Sequence, residues 1–504
     1  MSMTAAQASR FLAQATMGAS KADIVALAQS SPDVWLSDQF SLPRASRFWN
    51  FLADNGYNVA ANINSTNGFE PMVWSQLISS KDQLRQRVGL ALLDLLVVSI
   101  DGTPVQWRSN LVAAYLDVLW DNAFGNYRNI LGGIADNAAM AVFLTFNNNQ
   151  KANSVTGAIP DENFARELMQ LFSIGLYQLN MDGSLVLNMT GNPIETYTQA
   201  DVSSAARVWT GWTYANNNGT TPDRLRLPLT NIASQYETGS KRFLGTTIPA
   251  NIDAYTCRKL ALDIVFAHKN VPPFISQQLI KRLVTSNPSP DYISRVAAVF
   301  ANNGSGVRGD MKSVIKAILL DPEARADPTP NTTVSGKLRE PVIRLTQWAR
   351  AFNVTSPTNL WPFGDTSSSF SRLAESPGRS PSVFNFFRPG YEIPGTQGII
   401  APEFQLVNEA SNIAYLNYME SLITNGAGEA KPDYSALLSL AGNTQALLDE
   451  LNLVLAANQI SATTIAAIKT ALDTMSVSSA ALIAKKVNAA ILLVMAAPEY
   501  LILK

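Results

Sequence analysis

Apolar residues recur at helical spacing along most of this chain. Phe11 and Leu12, then Ile24, Val25 and Leu27, then Trp35 and Leu36 predict short helices over 4–54. Beyond an Asn- and Gly-rich loop at 55–68, the spacing predicts helices at about 70–79, 82–100 and 107–123, with one or two more over 126–146. Val88 to Ile100 is almost wholly apolar, but Asp94 interrupts it, and it falls short of the ~18 residues that a membrane span needs. A helix at 161–174 precedes a stretch with hairpin character, Tyr177 to Tyr197, whose turn is Asn180-Met181-Asp182-Gly183. Thr198-Gln199-Ala200-Asp201 reads as a capping box opening a helix that ends near Gly211. Further helices fall at about 253–267, 272–285, 289–302, 310–320, 335–352 and 402–422, and three Ala- and Leu-rich helices follow the linker at 426–432. No period of 20–50 residues repeats, which argues against a solenoid.

This pattern predicts an all-α fold. A large multi-helix domain spans 1–425, with loop-rich insertions at about 176–250 and 355–400 and room for a small β-hairpin element. A C-terminal helical subdomain, 433–504, packs on it. Insertions of that length are usually functional or mobile.

Composition narrows the chemistry. Charged residues make up 15% of the 504, against roughly 25% in an average soluble protein. With 38 basic and 39 acidic residues, no global field attracts nucleic acid or an anionic membrane. A single cysteine, Cys257, excludes an internal disulfide and multi-cysteine metal sites. A single histidine, His268, excludes HExxH and His-rich zinc sites. No metal set and no cofactor are expected, so acid–base work falls mainly to carboxylates. Met1-Ser2-Met3-Thr4 runs into an amphipathic helix without a leader's basic and apolar regions. The chain is therefore read as cytoplasmic, or as numbered from beyond a removed leader. Gly304-Ser305-Gly306-Val307-Arg308-Gly309 matches a dinucleotide fingerprint literally but follows a helix, so it reads as a helix–helix turn with Asp310 as the next N-cap. Asn180 to Ser184 lacks the downstream glutamate of a calcium loop and reads as a turn.

Candidate chemistry gathers at 160–172. Phe164, Ala165, Leu168, Met169, Leu171 and Phe172 cover one half of that helix; Glu162, Asn163, Arg166, Glu167, Gln170 and Ser173 cover the other. Asp161 is a fitting N-cap, and Glu162 with Arg166 makes the favoured i,i+4 pair. The plain reading is a solvated face. The functional one gives acid–base work to Glu162 or Glu167, orientation to Arg166 and a substrate contact to Asn163, because Asn163 and Glu167 border the core. His268, at a helix end before Asn270, suits the helix dipole or a proton carrier, with Asn270 beside it as a substrate contact. Trp209 and Trp212 are either satellite core or platforms for sugar rings, and Arg379 and Arg388 could grip carboxylates or sulfates bidentately.

Several motifs occur in a fixed order. Arg10-Phe11-Leu12-Ala13-Gln14-Ala15-Thr16-Met17-Gly18, the Asp161–Leu171 stretch and Arg207-Val208-Trp209-Thr210-Gly211-Trp212 resemble the RFLxQATFG, NFARELMELF and AR-x-(L/F)-TGW motifs of the bacterial DUF1800 family. Ala267-His268-Lys269-Asn270-Val271 resembles its HPNV element, with lysine at 269 where proline is usual. The Leu279-Ile280-Lys281-Arg282-Leu283 helix and the Ser380–Gly390 loop, similar to SVFNFFRPGY, extend the resemblance over about 9–501. It implies a mostly helical, usually exported protein, periplasmic or secreted, of unassigned function. Members are often encoded near DUF1501 proteins, which resemble sulfatases and alkaline phosphatases; this implies an envelope role and a DUF1501-type partner protein. The expectation is an envelope-associated hydrolase or lyase acting on a polysaccharide or related polymer by carboxylate chemistry, with Asp201 or Glu403 as a second carboxylate. The alternative is a non-catalytic helical scaffold, assembly or matrix protein with an envelope partner. The oligomeric state has no signature in the sequence.

Overall fold

Helix is written into the caps of this chain as firmly as into its apolar spacing. Thr4, Ser20 and Thr198 each close a capping box with the residue three positions on. Asp253, Ser289, Asp310, Ser461 and Ser479 each accept a first-turn N–H. A computed structural model describes residues 3–216, 219–327 and 335–504. Met1 and Ser2, where the leader reading begins, and 217–218 of the first insertion lie outside the described residues. Helix accounts for 52% and strand for 6%, so the all-α expectation holds.

Strand is confined to three two-stranded antiparallel ribbons among the described residues. β1 (Trp212–Thr213) pairs with β2 (Thr230–Asn231), and β3 (Lys241–Phe243) with β4 (Thr246–Ile248), both within or beside the first insertion. β5 (Lys337–Leu338) pairs with β6 (Ile502–Leu503), tying the end of the chain to its middle. The Tyr177–Tyr197 hairpin is doubled back twice, with bridges at Tyr177 and Glu195, Leu179 and Leu185, and Leu187 and Pro193. One buried apolar cluster runs from Phe11 through the C-terminal helices Thr444–Ala456 and Ala480–Ala496 to Tyr500. No helix among the described residues is long and apolar enough to cross a membrane.

Several helix boundaries differ from the periodic pattern. The helix expected at 82–100 is α1 (Gln83–Leu95); past it the backbone turns, and the Leu96 carbonyl accepts the Tyr115 hydroxyl at 2.5 Å. The helix expected at 335–352 begins as β5, because Glu340 precedes Pro341 and is held extended at ψ 140°; helix starts only at Pro341. The helix expected at 402–422 is a 3₁₀ turn, Pro402–Leu406, followed by Glu409–Asn425, which Asn408 caps.

α1 packs on α2 (Arg108–Asp121) through Gly89. A Cβ there would sit 2.3 Å from the Trp120 ring, which is itself buried and donates its indole N–H to Gln86 at 2.8 Å. Gly89→Ala is expected to destabilise the protein by about 1–3 kcal/mol through overpacking, read as a lower urea midpoint with an unchanged slope.

Candidate functional site

The polar face of α3 (Asn163–Gln170) divides sharply. Asp161 accepts the Asn163 N–H at 2.8 Å from two residues ahead of the helix, while Glu162 holds the N-cap position expected for Asp161. Glu162 is saturated: it pairs with Arg166 at 2.9 Å and accepts from Gln199 at 2.8 Å and Ser203 at 2.5 Å. Slight burial opposes its charge, but Ser203, Gln199 and Arg166 hold its carboxyl below the usual range. An ionised, fully bonded carboxylate is a poor proton donor, and Arg166 spends its own donors on Glu162 and Gln199. Glu167 is the opposite. It is 8% exposed, its Oε2 has no hydrogen-bond partner, and burial pushes its carboxyl up against the pull of Arg166. Tyr197, raised to about 12 by burial and then by Glu167, donates to Gln170 at 2.8 Å. Asn163 is half-buried, its amide 3.4 Å from the Thr145 hydroxyl.

Other residues proposed from the sequence have structural tasks. Trp209 and Trp212 are 1% and 0% exposed, so both rings lie in the core rather than at the surface. Trp209 meets Phe164 edge-on at 4.6 Å, while Trp212 donates to Val208 and lies under Arg258. Asn270 is fully buried: its amide donates to the carbonyls of Ile174 and Tyr177, and its oxygen accepts from Leu179. Those bonds leave nothing for a substrate, and they clamp the loop leaving α3. Arg379 is locked by Glu70 at 2.5 Å and Asp101 at 2.8 Å, so it has no free fork for an anion. Arg388 is exposed on its loop. His268 caps α5 (Ala254–Ala267), accepts the Asn270 N–H on Nδ1, and is lowered by burial, Lys269 and Arg308. A neutral imidazole draws little from the helix dipole. With Lys269 in place of proline the turn still forms, closed by the Val271 N–H to the His268 carbonyl.

The feature that brings chemistry-bearing residues together lies at the other end of α3. A cavity of about 190 Å³ is bounded by Asp94 and Leu95 of α1, by Gln170, Leu171, Gly175 and Leu176, by α6 (Val271–Leu283), and by Val383, Phe384 and Pro389 of the second insertion. α6 contributes Phe274, Gln278 and Arg282, four residues apart and so on one helix face. Gly175, at φ +72°, lets the Phe274 ring come within 2.7 Å of where a Cβ would stand. Three motif stretches, at 161–171, 279–283 and 380–390, thus meet at one pocket.

Asp94 is its central group. The residue is 6% exposed; Oδ1 accepts the Asn385 amide at 2.6 Å, and Oδ2 has no partner. Burial, then the nearby charge of Glu340, pushes its carboxyl up to about 7, against Arg282, Arg87 and Lys337. Behind it sits a closed ionic core. Lys337 contacts Glu340 at 2.8 Å and Glu403 at 2.9 Å. Burial works against Glu340, yet Lys337 and Arg87 hold it below the ordinary range. Glu375, raised well above that range by burial, Glu340 and Asp94, accepts the Val342 N–H at the start of α7 (Pro341–Ala351). Arg87 and Lys337 both donate to the Arg282 carbonyl, at 2.5 and 2.7 Å. Lys281, next along, is lowered to about 8 by burial and Arg282.

A pocket whose carboxyl exchanges its proton near neutrality, beside a guanidinium and two amides, can perform general acid–base chemistry. Asp94, Arg282, Gln278 and Asn385 are absent from the candidates drawn from sequence. Two signals pointed to them: an aspartate inside an apolar run, and Lys281-Arg282 between Leu279-Ile280 and Leu283. The expected second carboxylates lie elsewhere: Asp201 caps α4 (Gln199–Ala206) through Thr198, and Glu403 is tied to Lys337. No group of three or more potential metal ligands occurs among the described residues.

A family model described as a protein of unknown function (DUF1800) matches residues 10–502. No curated protein and no solved structure matches the chain.

Proposed function

The chain belongs to the DUF1800 family, and from that premise we propose that it is an exported enzyme acting on a polysaccharide or related envelope polymer, with Asp94 as its acid–base group. One observation carries this reading: a buried carboxyl with an unpartnered oxygen lines a cavity beside Arg282, where burial has moved its proton exchange to about pH 7. The cavity has room for one sugar-sized group, so a polymer would enter by an end or a side group. Asp94 is the one carboxylate lining it among the described residues. Hydrolysis by a carboxylate pair needs a second at about 5–9.5 Å, so the arrangement favours a lyase. In that reaction ionised Asp94 takes a proton from a ring carbon, the C–H electron pair becomes a C=C bond, and the C–O bond breaks with its pair on the leaving oxygen. That oxygen then receives the proton.

A non-catalytic scaffold keeps one supporting observation, the neutralisation of Glu162 by Arg166 with its remaining bonds taken by Gln199 and Ser203. A polymer panel separates the two readings. Wild type is expected to generate unsaturated, ultraviolet-absorbing ends from at least one polymer, and Glu162→Gln to stay within about two-fold of it. Asp94→Asn should fall by ~10²–10⁴. No product from any polymer, or equal rates for wild type and Asp94→Asn, overturns the enzyme reading in favour of a scaffold with an envelope partner.

A further inference from the structure

We infer that the cavity at Asp94 is a carboxylate-binding site built on Arg282, which takes a ligand with one carboxylate on a compact ring. This deepens the proposal above and rests on the same pocket, but the binding it describes does not require turnover.

Arg282 lines the cavity while only 1% exposed, and its Nε has no hydrogen-bond partner. Among the described residues no carboxylate lies within ion-pair distance of it, and its side chain makes a long bond, 3.4 Å, to the Asp94 carbonyl. A buried guanidinium with no carboxylate in contact and without a full set of acceptors is costly to keep, and an anion entering the cavity would supply both. The neighbouring groups are Arg87 and Lys337 on one side and Glu340, Glu403, Asp94 and Glu375 on the other, the last two with carboxyls raised by burial; Arg87 also leaves Nε and Nη1 unpartnered.

The group is also held still. Phe387 lies under the guanidinium with its ring centre 5.2 Å away. The Arg282 carbonyl is gripped by Arg87 and Lys337, which fixes the turn of α6 that carries the side chain. A rigid planar fork suits the two oxygens of a carboxylate. Gln278, one turn earlier on the same face, has an unpartnered Oε1 that could take a hydroxyl of the ligand. Leu95, Leu171, Phe274, Val383 and Phe384 supply apolar walls for the ring and keep water away from the ion pair. A carboxylate held here would lie beside Asp94, and its neutralisation by Arg282 would acidify the adjacent C–H that a lyase must deprotonate.

Titration calorimetry on the full chain tests this with glucuronate, galacturonate, neutral glucose, inorganic phosphate and sulfate as probes. At least one uronate should bind, and glucose should bind ~10-fold or more weakly. Arg282→Lys should weaken the uronate by about ten-fold, because one ammonium replaces a bidentate fork. Leu176→Trp, at the half-exposed rim, blocks the mouth without touching the ionic core and should remove binding. Asp94→Asn should still bind. Glucose binding as tightly as the uronates, tighter binding of phosphate or sulfate, or unchanged affinity in both Arg282→Lys and Leu176→Trp overturns the site. Uronate binding with full activity in Asp94→Asn would sink the catalytic reading alone; loss of turnover in Asp94→Asn without any carboxylate preference would sink this inference alone.

Discussion

Asp94→Asn is expected to remove turnover and, at neutral pH, to make the protein more stable. Both effects follow from one buried carboxyl. Its folded-state proton affinity corresponds to about 7, against 3.8 for an ordinary aspartate. Below pH ~4 the folded and unfolded chains both hold the proton, and the group imposes no penalty. Between about 4 and 7 the unfolded chain releases it while the folded chain keeps it, so stability falls as pH rises; above about 7 the loss levels off. Asparagine has nothing to titrate and still offers Asn385 an acceptor oxygen at the position that now lies 2.6 Å from its amide. The variant should therefore exceed wild type by about 2–4 kcal/mol at pH 8, with the gap closing towards pH 4. Urea unfolding at three pH values reads this directly. A gap that is constant with pH would mean that Asp94 titrates as an ordinary carboxylate. A destabilised, inactive variant would mean that the residue serves the fold and not the reaction.

Lys337→Met should be the most damaging single change in the ionic core. The lysine is 3% exposed on its side chain and its partners Glu340 and Glu403 are 1% each. Its ammonium also donates to the Arg282 carbonyl at 2.7 Å. Removing one partner of a buried pair leaves a charge in low dielectric; here two carboxylates would face each other, at a cost of about 3–5 kcal/mol. The sign of the pH dependence is set by Glu340. Lysine now holds it ionised against burial, and without lysine burial prevails, so the folded state would gain a proton and the deficit would shrink on acidification. Adding Glu340→Gln to Lys337→Met should restore part of the loss, since two carboxylates then no longer face each other. Because β5 carries Lys337 and pairs with β6, the single variant should also expose the chain's end to proteolysis before global unfolding.

Local signals in this sequence were legible because local physics decides them. The capping box at Thr198, the N-cap at Asp310 and the turn at Asn180 stand where the residues imply. Glu167 is buried on the border of the apolar half, as the helical wheel implies. Residues whose role depends on distant partners were not legible. Trp209 and Trp212 sit among loops in sequence but are surrounded by Phe164, Val208 and Arg258 in space. Arg379 looked free until Glu70 and Asp101, about 300 residues away in sequence, closed on it. Asp94 and Arg282, 188 residues apart, are joined only by tertiary packing. A charged residue in an apolar run is the trace such a site leaves in sequence, and Asp94 in Val88–Ile100 left it.

The central claim is that Asp94 keeps its proton into the neutral range inside the pocket. Infrared difference titration of wild type against Asp94→Asn isolates its carboxylic C=O band from that of Glu375, which both proteins share. A band that is present at pH 5 and lost with a midpoint of about 7 is the predicted result. A difference band already gone by pH ~5 would show an ordinary carboxylate there and would contradict the account.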